Sequence, residues 1–224
     1  MFDVAFISTY EPNSKENLDR LKKFVPWGVR EISGVSGIIE AHQVAANKCM
    51  TEYFYVVDAD NWVIDFDFSF KPSKKDRKLE TTFIWFSKNP CNGLVYGHGG
   101  IKLFHRKNIL SQSVMPMDLT TEVSNNVKVI GECVTEHRFN TDPFSTWRTA
   151  FREAAKLTLK FDMDSINRLD HWVDEDQIDK KVQFSDYCVK GARSGQEFAE
   201  ENFYDEQQLH RINNYEWLRK QFEN

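Results

Sequence analysis

The sequence predicts an α/β fold in which a mixed, mainly parallel sheet is flanked by helices and followed by a helical C-terminal extension. Up to Asp58, segments with strand-like and helix-like patterns alternate, which is typical of parallel strands joined by crossover helices. From Asp162 on, the chain is acidic and its apolar residues recur at helical spacing. We therefore expect a core of residues 1–145 and a helical extension of residues 146–224 that packs on it as one globular unit.

The elements before Asp58 are predicted from their apolar patterns. The run FDVAFIS is short, apolar and bounded by polar turn residues, as expected of a buried strand. In NSKENLDRLKKFV, Asn13 or Ser14 can cap a helix whose apolar residues share one face. A short strand in VREIS, a helix in GVSGIIEAHQVAANKCM and a third strand in YFYVVD complete the alternation.

The later elements are predicted in the same way. IKLFHR alternates as a strand does, and PFSTWRTAFREAAKLTLKF carries an apolar stripe that predicts a packed helix. DSINRLDHWVDEDQID and YDEQQLHRINNYEWLRKQFEN predict further helices. Between them, KGARSGQEFAEENF contains Lys190, Arg193 and two glycines, and we expect it to form a loop that closes over a ligand.

Composition excludes several classes of protein. The chain has 224 residues and a formal net charge of −5, which argues against a protein that coats nucleic acid through bulk charge. No apolar run approaches the roughly 20 residues of a membrane span, and no basic segment precedes the N-terminal apolar run, so we expect neither a membrane nor an export role. The four cysteines are scattered, which predicts no zinc site and no disulfide framework and favours the reducing cytoplasm.

Two carboxylates, Asp58 and Asp60, follow the third predicted strand one residue apart. Ligands of parallel α/β sheets bind at the carboxyl ends of the strands. A carboxylate pair there must be solvated, hydrogen-bonded or paired with a cation, because unpaired burial is costly. Mg²⁺ or Mn²⁺ bound by these oxygens can bridge the phosphates of a nucleotide. The alternative is an ordinary pair of aspartates in a turn or helix cap.

The order of motifs resembles that of nucleotide-sugar-dependent glycosyltransferases with the Rossmann-like GT-A fold. FISTYEPN, AHQVAANKCMTEYFYVVDADN and GGIKLFHR are similar to the large inverting family in which a Thr-Tyr after the first strand precedes an Asp-x-Asp motif. SKNPCNGLVYGHGGIKLFHR, HRFNTDPFSTWRTAFREAAK and INNYEWLRK resemble bacteriophage TET-associated glycosyltransferases, which are distantly similar to the base J glucosyltransferase.

This resemblance implies transfer of a sugar from a nucleotide-diphosphate sugar, most simply a UDP-sugar, to a hydroxymethylated pyrimidine in DNA. The base would be 5-hydroxymethylcytosine or 5-hydroxymethyluracil, and a phage protein would act in the host cytoplasm. The alternatives are a GT-A enzyme with a saccharide or protein acceptor, and a non-catalytic nucleotide-binding module. Release of nucleoside diphosphate would separate these functions.

The resemblance also implies roles for individual residues on the donor side. Asp58 and Asp60 would bind Mn²⁺ or Mg²⁺ with the donor diphosphate, and no third metal ligand is identified. Tyr10 would offer its ring to the nucleoside base. The other residues expected on the donor side are Thr9, Glu11, Ser36, Gly37, His42, Ala59, Gly99, Gly100 and Arg138. Ser36 and Gly37 are equally well explained as a turn and cap, and His42 as a helix residue hydrogen-bonded to a neighbouring loop.

Acceptor contacts are expected from two segments. Gly97, Gly99 and Gly100 permit positive φ and a close backbone approach, so LVYGHGGIKLFHR predicts a loop that faces the sugar and acceptor. Within it, His98 and Lys102 are expected to contact the acceptor. The basic run KPSKKDRK, just after the carboxylates, is expected on the acceptor side through Lys74, Lys75 and Arg77, or else is a solvated loop.

Inverting transfer needs a carboxylate that takes the proton of the acceptor hydroxyl. In the GT-A order this base follows the glycine-rich segment, which favours Asp118, with Glu122, Glu136 and Asp142 as rivals. A retaining mechanism would need no such base. Asp118 is equally well explained as a helix cap or turn residue.

Overall fold

The computed structural model describes residues 1–114 and 116–223, and the chain divides into two compact units. The first unit comprises Met1–Lys88 and Val95–Arg138. The second comprises Asn89–Leu94 and Phe139–Asn224. The main part of the second unit therefore begins at Phe139, seven residues before the expected boundary at 146. This unit also includes the short earlier segment Asn89–Leu94.

The first unit contains the sheet and the helices that cover it. Its elements in chain order are β1 (Asp3–Ser8), α1 (Ser14–Lys22), β2 (Arg30–Ser33), α2 (Ile38–Lys48), β3 (Tyr53–Asp58), β4 (Asn61–Val63), α3 (Lys74–Lys78), β5 (Thr82–Lys88), β6 (Val95–Tyr96), β7 (Lys102–His105), α4 (Arg106–Leu110), α5 (Leu119–Glu122) and β8 (Val127–His137). The predicted strands and helices before Asp58 are all present, which confirms the alternation expected from the sequence.

The sheet has the strand order β2-β1-β3-β7-β5-β8-β4, and β6 pairs with β5. β1 is parallel to both β2 and β3, and β5 is parallel to β8 with irregular register between Trp85 and Ser87. β7 runs antiparallel between β3 and β5, and β4 is antiparallel to β8. The predicted α/β class, a mixed sheet flanked by helices with a helical C-terminal extension, is confirmed.

Both faces of the sheet are covered, and β3 shows why its sequence is uninterruptedly apolar. Tyr55 and Val57 lie in the core cluster on one face, which Leu21 of α1 also joins. Phe54 and Val56 lie in the cluster on the other face with Ala45 of α2. Successive side chains of a strand point to opposite faces, so a strand buried on both sides loses the alternation of a half-exposed one.

The register of the parallel strands brings their carboxyl ends to one edge of the sheet. Ile7 pairs with Asp58, and the amide of Ala59 donates to the Ile7 carbonyl at 2.9 Å. The amide of Gly34, directly after β2, donates to the carbonyl of Ser8 at 3.0 Å. The segments that follow β1, β2 and β3 therefore lie side by side at this edge, which we call the carboxyl edge.

The second unit is helical. Its helices are α6 (Pro143–Thr158), α7 (Met163–Val173), α8 (Ser185–Glu201), α9 (Glu206–Leu209) and α10 (Tyr215–Glu223). The expectation of a ligand-covering loop over KGARSGQEFAEENF is wrong, because most of this segment lies within α8. Its glycines serve helix packing: a Cβ on Gly191 would lie 2.2 Å from the Trp147 carbonyl oxygen of α6, and one on Gly195 2.1 Å from that of Phe151.

Two further observations concern the whole described chain. Within residues 1–114 and 116–223, no helix combines the length and apolar character needed to cross a membrane. All four cysteines are free thiols, and Cys49, Cys91 and Cys188 are buried.

Candidate functional site

Asp58 ends β3 at the carboxyl edge and forms an ion pair with Lys102. The Lys102 ammonium contacts the Asp58 carboxylate, and Lys102 is only 5% exposed. The pair forms because Lys102 begins β7, where its backbone is paired with Val56 of β3. The buried side chain of Lys102 thus lies against Asp58, and its expected contact with the acceptor stays a prediction.

Asp60 contacts a residue that the sequence analysis did not select. Its Oδ2 lies 3.0 Å from Nε2 of His137, and its Oδ1 accepts a hydrogen bond from Asn61 Nδ2 at 3.2 Å. His137 ends β8, whose antiparallel pairing with β4 sets His137 opposite Asn61. The local sequence carries no signal for this contact, since it depends on pairing between two distant segments.

The glycine-rich loop packs against His137. His98 is buried, stacks on Tyr96 with ring centroids 4.4 Å apart, and has its Nδ1 3.3 Å from His137 Nδ1. Gly99 has φ of 59°, and a Cβ there would lie 2.6 Å from the His137 ring. His98 therefore joins the carboxylate site through His137, whereas the sequence placed it with the acceptor contacts.

Gly100 is required by close packing rather than by a turn. A Cβ at this position would lie 2.4 Å from the carbonyl oxygen of Trp85 in β5. Real Cβ atoms do not approach an oxygen so closely, so only glycine lets the loop enter β7 at this point. The glycines thus fix the loop that carries His98, and their expected donor contacts stay a prediction.

His42 lies in α2 and is held in a neutral, buried state. Its Nδ1 donates to the Ile38 carbonyl at 2.7 Å, and its ring meets Phe104 edge-on at 5.8 Å. Burial lowers the pKa of His42, the nearby Asp58 carboxylate opposes this, and the Lys102 charge adds to the lowering. His42 is therefore an uncharged neighbour of the Asp58–Lys102 pair, and its hydrogen bond lies within α2 rather than to a neighbouring loop.

The segment after β1 places an exposed ring at the carboxyl edge. Tyr10 is 88% exposed, and the Thr9 amide donates to Glu11 Oε2 at 2.7 Å. The segment Asp58-Ala59-Asp60, which we call the aspartate loop, is also held by α1, because Asn17 Nδ2 donates to the Ala59 carbonyl at 2.7 Å. The geometry leaves the Tyr10 ring free to stack on a planar ligand, as expected from the sequence.

Ser36 and Gly37 follow β2 at the same edge. Both are exposed, and Gly37 caps α2 with φ of 95°. The turn-and-cap explanation is therefore realised in the structure. Contact of these residues with ribose or phosphate stays a prediction.

Arg138 follows His137 directly and is held by several contacts. Its amide donates to the Asp60 carbonyl at 2.6 Å, and its carbonyl accepts from Asn13 Nδ2 at 2.9 Å. The guanidinium lies 4.1 Å from the centre of the Trp62 ring, and its Nε donates to Glu136 at 2.7 Å. Its backbone supports the aspartate loop, and its expected phosphate contact stays a prediction.

Asp118 has a structural role at the start of α5. Its carboxylate accepts from the Thr120 amide at 3.2 Å, and Glu122 Oε1 accepts from the Asp118 amide at 2.8 Å. This reciprocal pattern is a helix cap, which is the alternative considered for Asp118. Catalysis by Asp118 stays a prediction.

The other candidate bases also form ion pairs or hydrogen bonds. Glu136 pairs with Arg138, and Asp142 in the second unit caps α6 by accepting from the Ser145 amide at 2.9 Å. Burial raises the pKa of Asp142, but the hydrogen bonds from Ser145 outweigh it and leave the pKa below its usual value.

The basic cluster lies away from the aspartates. Lys74, Lys75 and Arg77 belong to α3, and Arg77 pairs with Glu52 at 3.5 Å, just before β3 begins. Asp58 ends the same strand, so the cluster and the carboxylates are separated by the length of β3, about 17 Å for six residues. The cluster therefore lies at the opposite end of β3 from the carboxylate pair, and its expected contact with the acceptor stays a prediction.

A cavity of about 550 Å³ lies beside this basic cluster in the first unit. Its charged and polar lining comes from Lys71, Ser73, Asp76 and Lys128. Lys128 pairs with the buried Asp76 at 2.6 Å, so part of the positive charge here is already neutralised. We assign no ligand to this cavity.

The donor atoms at the carboxyl edge fit a divalent ion that also binds phosphates. Within the described residues, no group of three or more His, Cys, Asp or Glu side chains forms a ready-made metal cage. Mg²⁺ commonly uses only one or two carboxylates together with substrate phosphates, and imidazole and carboxylate both suit first-row ions such as Mn²⁺. Asp58, Asp60 and His137 are side chains of these types, but they form no such cage in this structure, and Asp58 is paired with Lys102.

Comparisons with known proteins show remote structural similarity. No protein-family model matches the chain, and no curated protein matches it either. Among solved structures, HddC from Yersinia pseudotuberculosis is 12% identical over 58% of this chain and 90% of that one, with a TM-score of 0.40.

Two other similar structures hold nucleotide sugars. The mannosyltransferase PcManGT from Pyrobaculum calidifontis, in complex with GDP-Man and Mn²⁺, is 8% identical over 97% of this chain and 85% of that one, with a TM-score of 0.44. Residues 1–349 of S. aureus TarS with UDP-GlcNAc are 10% identical over 91% of both chains, with a TM-score of 0.38. Structural similarity this remote assigns no function to the chain.

Proposed function

We propose that the chain is a metal-dependent glycosyltransferase that binds a nucleotide-diphosphate sugar at the carboxyl edge. The observations that carry this proposal are the Asp60–His137 contact directly after β3, which Asp58 ends, and the exposed ring of Tyr10 after β1 at the same edge. A nucleotide diphosphate has two matching parts: a planar base for stacking and a charged diphosphate for cations. The motif order that resembles GT-A enzymes supports the same function.

Each residue of the proposed site has its own role in binding the metal ion or the nucleotide. Asp58, Asp60 and His137 would hold Mn²⁺ or Mg²⁺, and the ion supplies positive charge for the departing diphosphate. Tyr10 stacks on the nucleoside base, with Thr9 and Glu11 shaping its loop. His98 and Gly99 hold the His137 ring in place. His42, which is neutral, leaves the negative charge of the carboxylates available to the cation.

Transfer itself needs an acceptor hydroxyl and a group that takes its proton. We assign this base to Asp118 within an inverting mechanism, with Glu122 and Glu136 as rivals. Because Asp118 caps α5 through one of its oxygens, it would act on the acceptor without leaving the start of that helix. A mechanism that retains configuration would remove the need for this base.

The acceptor we propose is the hydroxymethyl group of a modified pyrimidine in DNA. Its support is the resemblance of the glycine-rich and RFNTDPF segments to the phage DNA-modifying family. Lys74, Lys75 and Arg77 would contact phosphates along the duplex at a distance from the aspartates, which a long acceptor can span. The competing acceptors are a saccharide or a protein.

Release of nucleoside diphosphate tests the proposed function. The protein is incubated with Mn²⁺ and UDP-, GDP- or other nucleotide sugars, in the presence of DNA containing 5-hydroxymethylcytosine or 5-hydroxymethyluracil. We expect release with one of these DNAs and none with unmodified DNA. If nucleoside diphosphate is released only when a saccharide or a protein is added, that molecule and not DNA is the acceptor. Nucleotide binding without any release of nucleoside diphosphate would favour a non-catalytic module.

A further inference from the structure

The pair formed by Asp58 and Lys102 occupies a carboxylate that the proposed function needs for a metal ion. Lys102 is buried, and its ammonium contacts Asp58. His42, whose pKa is affected by the charges of both residues of the pair, is buried and neutral. An unpaired buried ammonium is energetically costly, so in the absence of ligand the Lys102 ammonium stays paired with the Asp58 carboxylate.

We propose that Lys102 is a built-in counter-cation that makes divalent-ion binding depend on the nucleotide diphosphate. This inference rests on the proposed nucleotide-diphosphate site. A metal ion and the ammonium compete for the same carboxylate and repel each other at close range. The protein without nucleotide therefore binds the ion weakly, because Asp58 is already neutralised.

Binding of the nucleotide removes this competition. Its diphosphate brings negative oxygens to the carboxyl edge, and these can accept hydrogen bonds from the Lys102 ammonium while they ligate the ion. Asp58 is then released to the metal, and the ammonium keeps a partner in the buried site. Lys102 acts as a positioning residue for Asp58, and metal and nucleotide bind with positive coupling, each raising the affinity for the other by the same factor.

The position of Lys102 on the sheet supports this role over that of an incidental surface pair. Its backbone is fixed between β3 and β5, since Lys102 pairs with Val56 on one side and Ile84 on the other. The backbone of Lys102 cannot shift without breaking these pairings, so its ammonium stays within reach of Asp58. Exposed pairs such as Lys15–Asp19 have no such constraint.

The test measures Mn²⁺ affinity by isothermal titration calorimetry and by the loss of the free Mn²⁺ resonance signal, with and without saturating UDP. A blank with UDP but no protein corrects for Mn²⁺ held by free nucleotide. In the wild type we expect UDP to raise Mn²⁺ affinity at least about tenfold, within the usual range of coupling. Equal affinity with and without UDP would overturn the proposal without any variant.

The Lys102→Met variant removes the charge and keeps the length of the side chain. We expect its affinity for Mn²⁺ alone to rise at least about tenfold, and the effect of UDP to become smaller than in the wild type by a similar factor. Lys102→Arg keeps a cation and should behave like the wild type. Lys128→Met, which removes the ammonium that pairs with Asp76, is the matched control and should change neither affinity.

The outcomes separate the Lys102 proposal from the proposed function. If the wild type binds UDP with Mn²⁺ but Lys102→Met gains no affinity for Mn²⁺ alone, the ion pair is only structural and the Lys102 proposal is overturned. If the wild type binds no nucleoside diphosphate under any condition, the proposed function fails and the Lys102 proposal fails with it.

Discussion

The imidazole Nε2 of His137 lies 3.0 Å from the carboxylate of Asp60, although 77 positions separate the two residues in the chain. This contact distinguishes Asp58-Ala59-Asp60 from an ordinary polar turn. The aspartate loop faces a second metal-ligating side chain type, and the glycine-rich loop packs against the same ring. Three distant segments therefore converge where the parallel strands end.

Removal of the His137 ring should weaken the site without unfolding the protein. We expect His137→Ala to lower affinity for Mn²⁺ in the presence of UDP at least about tenfold, because a nitrogen ligand of the ion is lost. The titration used for Lys102 measures this change. His210→Ala, at a half-buried position in the second unit, is the control. Unchanged Mn²⁺ affinity in His137→Ala would remove this residue from the metal site.

Asp118→Asn separates catalysis from capping. Asparagine caps helices about as well as aspartate, so stability should be preserved. If Asp118 is the base, turnover should fall by roughly 10²–10⁴-fold while the affinity for the donor stays near that of the wild type. Steady-state release of nucleoside diphosphate measures this. A loss below about tenfold would move the base to Glu122 or Glu136, or favour a retaining mechanism.

Protonation of His42 should destabilise the fold at acidic pH. Burial lowers the pKa of His42 below its ordinary value of 6.5, so below that pH the unfolded chain binds a proton that the folded chain resists. The stabilisation is complete above 6.5 and is lost as the pH falls toward the folded-state pKa.

Urea unfolding between about pH 7.5 and about pH 5.5 measures this effect in the wild type and in His42→Gln. We expect the free energy of unfolding to fall less steeply in the variant, which has no group to protonate at this position. Identical pH profiles would show that His42 is not held neutral in the folded protein.

Substitution of the basic cluster tests whether duplex DNA is the acceptor. If duplex DNA is bound through phosphates, log affinity should fall against log salt with a slope of about −0.9 per contact. Neutralising Lys74, Lys75 and Arg77 to Gln should flatten that slope and leave nucleotide affinity unchanged. Parallel lines for the wild type and the variant would mean that the cluster is only a solvated surface. A wild-type line without slope would exclude duplex DNA as the acceptor.

Much of the first half of the fold follows from local patterns. The apolar spacing of each segment encodes β1, α1, β2, α2 and β3, and the parallel register then places Asp58 at the carboxyl edge. The role of Tyr10 comes only from the resemblance and stays a prediction.

The features that the sequence did not reveal depend on contacts between distant segments. The Lys102–Asp58 pair requires β7 to insert antiparallel beside β3, and the His137–Asp60 contact requires β4 to pair with β8. Neither pairing leaves a periodic signal. The segment expected to form a loop lies mostly in α8, because its two glycines, which usually weaken a helix, here allow close packing on α6.

The position of the basic cluster does not follow from the sequence either. The cluster lies close to Asp60 in the chain, but residues 64–73 lead from β4 back to the amino end of β3 before α3 begins. Chain distance and spatial distance diverge here because the connection runs the length of a strand.

The most direct test of the central claim is the affinity of Asp60→Ala for UDP in the presence of Mn²⁺. The claim is that the carboxyl edge binds a nucleotide diphosphate through a metal ion held by this carboxylate. Calorimetry should show saturable UDP binding that requires Mn²⁺ in the wild type and in Asp65→Ala, an exposed control aspartate in the same segment. Asp60→Ala should lose this binding while its circular dichroism and thermal unfolding stay close to those of the wild type. Undiminished, Mn²⁺-dependent UDP affinity in a folded Asp60→Ala protein would contradict the account.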